Sequence, residues 1–158
     1  MSLAPGAARR LVVVVAIALR VLLGLAWLHE AWVKYAAHFG GTDIGLVVGS
    51  VGSNPRVAAP VAELTRALLG PAPGLWGVLV PAWEAGLGLV LLLGVFPRLA
   101  AVAAGVTLAI YWSVDQLIWE YPLMGVLAVV CAALPAPGFA ALLRRRRRKR
   151  STPTPTPH

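Results

Sequence analysis

Charge is scarce in this chain. Of 158 residues only 13% are charged, against roughly 25% in an ordinary soluble domain. A water-soluble globule of this size could not cover its surface from such a supply. Cysteine is almost absent: Cys131 stands alone, which excludes an internal disulfide, a C-x-x-C redox pair and a cysteine-rich zinc site. A self-contained thiol-relay enzyme is excluded with them. Histidine is nearly as rare. His29 and His38 lie nine residues apart on nearly opposite helix faces, so they form neither a metal site nor an axial pair for haem. No nucleotide-binding glycine loop, nucleophile elbow or catalytic triad is present.

What the chain does hold is apolar. Hydrophobic residues make up 59% of it, and the mean hydropathy is +0.79. Four segments approach the ~20 residues needed to cross a bilayer core: about 11–33, 75–96, 99–118 and 122–143. Backbone groups in lipid must be satisfied within the segment, so the expected class is all-α. We expect an integral membrane four-helix bundle, residues 1–143. Pro135 and Pro137-Gly138 should break the fourth segment after about Leu134. The link between the first two spans is long. Its glycine-rich first half, with Gly40-Gly41, Gly45, Gly49 and Gly52, reads as a loop. Its second half, 55–69, places Val57, Val61, Leu64 and Leu68 on one stripe and predicts an outer amphipathic helix, either a cap over the bundle or a docking surface.

The net charge of +8 is a property of the tail. Arg144, Arg145, Arg146, Arg147, Arg148, Lys149 and Arg150 follow the last apolar segment directly. They read as a stop signal touching anionic lipid rather than as a nucleic-acid patch. A Thr/Pro-rich end, 151–158, completes a basic cytoplasmic tail. With both termini inside, Arg9, Arg10, Arg98 and the tail face the cytoplasm, and Lys34, Arg56 and Arg66 lie outside. The positive-inside rule favours that multi-pass arrangement, with both termini cytoplasmic.

Ionisable residues within spans cost ~2.5–3.5 kcal/mol or more unless paired or solvated. At helical spacing, Arg20, Gly24, Trp27, Ala31, Lys34 and His38 share a face of the first span. Gly77, Glu84, Gly88 and Leu91 share one on the second. Ala101, Ala104, Leu108, Tyr111 and Asp115 share one on the third. Small residues on these faces mark close helix approach. Counted from the cytoplasmic ends, Arg20 and Glu84 fall near the midplane and predict a buried ion pair. Lys34 and Asp115 fall near the outer ends. They predict a polar cluster of Glu30, Lys34, Tyr111 and Asp115, a candidate quinone or proton site. Ion pairs of this kind also serve register alone.

Several stretches resemble the DoxX family of small four-helix bacterial membrane proteins. One is Leu19-Arg20-Val21-Leu22-Leu23-Gly24 with Trp27-Leu28-His29-Glu30 and Lys34-Tyr35. Another begins Glu84-Ala85-Gly86-Leu87-Gly88-Leu89 and runs on to Leu93-Gly94-Val95-Phe96-Pro97-Arg98. A third is Pro135-Ala136-Pro137-Gly138. The resemblance covers about 11–139; the long outer insert and the arginine tail depart from the pattern. It implies an inner-membrane protein linked to thiosulfate oxidation or to oxidative-stress complexes. The sequence carries no redox centre of its own, so the implied role is a non-catalytic or quinone-engaging membrane subunit beside a redox partner subunit, with self-association open. Two other classes remain: a small proton-coupled transporter or efflux component using Glu84, and a structural assembly factor.

Overall fold

A computed structural model describes residues 5–116 and 118–134. The described residues are all-α, in six helices: α1 Pro5–Ala36, α2 Gly41–Ser50, α3 Ala59–Leu69, α4 Pro73–Leu93, α5 Pro97–Ser113 and α6 Glu120–Ala133. By length and composition, α1 and α4 could each cross a membrane, and α6 is a shorter apolar helix. The expected breaks beyond Pro135 and the basic tail lie outside the described residues.

Proline and glycine punctuate the chain. Pro73 and Pro97 open α4 and α5 in the first turn, where a missing N–H costs nothing. Gly94 closes α4 in the left-handed conformation at φ 65°, the natural helix stop for a residue without Cβ. Leu134 leaves α6 in extended conformation, as expected before Pro135.

Helix α1 packs on α4, α4 on α5, α5 on α6, and α6 returns to α1. The shared core holds Leu23, Trp27, Leu87, Leu91, Ala101, Ala104, Leu108, Tyr121, Met124 and Cys131. These are the faces that helical spacing selects, with α6 contributing a fourth stripe. Antiparallel α1 and α4 approach closely at Gly24 and Gly88. A Cβ on Gly88 would stand 2.8 Å from the Gly24 carbonyl oxygen, so only glycine allows this approach. Trp83 Nε1 donates to Thr107 Oγ1 at 3.0 Å and ties α4 to α5.

The link between α1 and α4 differs from expectation in its first half. Residues read as a glycine-rich loop form α2, which seats on α4. The Asp43 carboxylate accepts the Gly40 N–H at 2.8 Å at its start. Helix α3 lies where an amphipathic helix was expected, but it turns Ala62 and Thr65 inward. Leu64 and Leu68 face outward. Val51, Val57 and Ala62 make a second small core with Val47, Val61 and Val114, so α2 and α3 form a cap over one end of the helix layer.

Candidate functional site

Polar side chains meet where α1, α4, α5 and α6 converge beneath the cap. The centre is Glu84, on α4 and fully buried. Lys34, near the end of α1, places Nζ 2.8 Å from Glu84 Oε1. Tyr111 on α5 donates its hydroxyl to the same oxygen at 2.7 Å. Lys34 also reaches Glu30 Oε2 at 3.3 Å, one turn back on its own helix. Tyr121, in the first turn of α6, donates to that Glu30 oxygen at 3.1 Å and accepts from Lys34 at 3.4 Å. Two carboxylates, one ammonium and two phenols therefore form one connected network.

Aromatic rings wall it. Tyr111 lies 5.6 Å from Tyr121 and 6.5 Å from Trp27, centre to centre. Lys34 Nζ sits 5.8 Å from the Tyr111 ring centre, within cation–π range. One acceptor and one donor are left over: Glu84 Oε2 and Trp27 Nε1 are buried without a hydrogen-bond partner among the described residues. Buried polar groups are normally paired, because each unmet one costs about 1–3 kcal/mol. Pro81 lies three residues before Glu84, within α4. Its missing N–H frees the Gly77 carbonyl, which weakens the helix one turn from the site.

The expected site is rearranged. Glu30, Lys34 and Tyr111 come together as anticipated, and Glu84 joins them. The Arg20–Glu84 pair does not form. Arg20 lies against Gly94, the last residue of the α4 stop: a Cβ there would meet its guanidinium at 2.8–2.9 Å. Arg20 and Lys34 are fourteen positions apart, or ~21 Å along the helix, and Glu84 can reach only one of them. Depth counted from the start of the apolar run misplaces Arg20, because α1 begins at Pro5 and runs on past the α4–α5 turn. Leu11, Val12, Val14 and Val15 on that extension are exposed.

Asp115 also leaves the cluster. Helix α5 ends at Ser113, and Asp115 takes φ 57° in the turn that follows. It swings to the cap, accepting from Asn54 Nδ2 at 2.8 Å and facing Arg56 at 3.6 Å across an exposed ion pair. Sequence reasoning missed Tyr121 and Asn54. Tyr121 had a signal: with Met124, Ala128 and Cys131 it draws a buried helical stripe once the helix starts at Glu120. Asn54 sits in an irregular link and had none. The basic residues Arg144 to Arg150 lie outside the described residues.

No family model, curated protein or solved structure matches this chain.

Proposed function

We propose that the chain is an integral membrane four-helix bundle of the DoxX kind whose buried Lys34–Glu84–Tyr111 cluster engages the head group of a quinone beside a redox partner subunit. Support for the membrane reading comes from the outer surface. Leu22, Leu25, Leu89, Leu93, Val102, Val106, Val126 and Val129 are exposed while the polar residues turn inward. A helix apolar on both its packed and its open face suits lipid. In this reading the exposed Leu64 and Leu68 of α3 lie on the outer membrane surface.

The observation that carries the quinone reading is the pair of unmet groups flanking Tyr111. A quinone carbonyl would accept from Trp27 Nε1, and a quinol hydroxyl would donate to Glu84 Oε2. Lys34 and Glu30 supply a reserve for proton exchange within hydrogen-bond reach. Electrons would come from the partner subunit.

The test is quinone retention. Protein purified gently from native membranes should carry quinone measurable by extraction and absorbance. Glu84→Gln and Tyr111→Phe should reduce retention several-fold, whereas Asp115→Asn, outside the cluster, should not. A quinone-free wild type that also fails to bind an added short-chain quinone overturns the reading. The two carboxylates sharing one ammonium also suit a proton-coupled transporter. That reading gains if Glu84→Gln abolishes a proton-linked uptake or resistance phenotype with quinone content unchanged.

A further inference from the structure

A third buried charge, besides Glu30 and Glu84, lies outside the cluster. Arg20 is 5% exposed, and its Nε and Nη1 have no hydrogen-bond partner among the described residues. A guanidinium has five donors and cannot shed its charge. Burial without an anion is among the least favourable states a side chain can adopt. Among the described residues no carboxylate comes to it: Glu84 and Glu30 are taken by Lys34, ~21 Å further along α1. Two carbonyls in the last turn of α4 are also taken. Val90 and Leu91 accept from the Val95 and Gly94 amides.

Its surroundings are cationic. The guanidinium lies flat against Gly94, whose lack of a side chain makes the room. Three residues on, α5 begins at Pro97 with no side-chain cap at its amino end, which adds a partial positive charge. Arg98 is exposed at the same turn. In the membrane reading this turn, with Arg98, sits at the level of the inner-leaflet head groups.

We propose that Arg20 and the α4–α5 turn form a binding site for a phosphate oxyanion, supplied by the phosphodiester of an inner-leaflet phospholipid or by free phosphate. The planar fork of arginine matches two phosphate oxygens. The lipid source rests on the membrane reading given above; the oxyanion chemistry does not.

The experiment uses the full chain in a nonionic detergent, with thermal unfolding as readout. Phosphatidylglycerol should raise the Tm by several degrees, as a ligand that binds only the folded state does. Diacylglycerol with the same acyl chains should not. In Arg20→Gln the apparent affinity should fall about tenfold or more, and in Arg98→Gln it should change less. A shift from millimolar inorganic phosphate with none from lipid assigns the site to the free ion and supports the oxyanion chemistry. No shift from either probe overturns the proposal, and so does an equal shift from diacylglycerol or one that persists in Arg20→Gln. If Arg20→Gln does not fold, native mass spectrometry of the wild type decides. One phospholipid retained per chain through delipidation supports the site, and none retained together with no phosphate adduct overturns it. Flotation with lipid vesicles tests the membrane reading by itself and should be identical in wild type and Arg20→Gln.

Discussion

Lys34 is the side chain that makes the buried cluster tolerable. It stands between Glu30 and Glu84, which would otherwise be two buried like charges with no cation between them. Removing it should cost far more than removing one of its partners. We expect Lys34→Met to lose about 3–5 kcal/mol, the usual result of stranding a buried charge. Glu84→Gln should lose less, because its amide oxygen still accepts from Tyr111. The double variant Lys34→Met/Glu84→Gln should recover part of the Lys34→Met loss. Denaturant unfolding in detergent would measure all three, and strictly additive losses would show that the two residues act independently. The existence of this cluster was readable in the chain, since charges spaced at helical intervals on apolar segments have few places to go. Its pairing was not. Arg20 and Lys34 share one face of α1, and which of them meets Glu84 depends on where α1 begins relative to α4. No local signal fixes that sliding register.

At the scale of elements, the seam between α1 and α4 rests on Gly24 and Gly88. A Cβ at Gly88 would sit 2.7 Å from Leu28 Cγ and 2.8 Å from the Gly24 carbonyl oxygen, whereas one at Gly86 meets nothing within 4 Å. Gly88→Ala should therefore destabilise by about 1–3 kcal/mol, as overpacking does. Gly86→Ala should be neutral or stabilising by up to about 1 kcal/mol through helix propensity. Equal Tm values for the two variants would contradict this seam. The long apolar helices α1 and α4 were legible because their runs are long, and the α4–α5 turn because it carries Gly94 and Pro97. Helix α2 was hidden. Gly41, Gly45 and Gly49 lower its intrinsic propensity by about 1 kcal/mol each relative to alanine, and seating against α4 overrides that cost. Its connection to α3 depends in turn on the Asn54–Asp115 hydrogen bond. Asn54→Ala should loosen the cap and leave the seam intact. Hydrogen exchange should speed up at amides of α2 and α3, with those of α4 around Gly88 unchanged. Uniform acceleration across all helices would mean that the cap is no separate unit.

Across the whole molecule, the described charges divide between the two ends of the helix layer. The Lys34–Glu84 cluster and its cap occupy one end. Arg9, Arg10, Arg20 and Arg98 gather toward the other, where α1 runs on past the α4–α5 turn. Such an imbalance orients a membrane protein with its basic end in the cytoplasm, and the prediction is open to direct labelling. Cys131 is buried, so single cysteines can be introduced against little background. Ser53, exposed between α2 and α3, should label as Ser53→Cys with a membrane-impermeant maleimide in intact cells. Ser151→Cys, in the segment after the basic run, should label only once the membrane is opened. The reverse pattern would invert the protein and put the Arg20 turn at the outer leaflet. Labelling of both sites in intact cells would remove the bilayer from between them. The cap would then cover the cluster in solution, and the exposed leucines and valines of α1, α4, α5 and α6 would require protein rather than lipid as their cover.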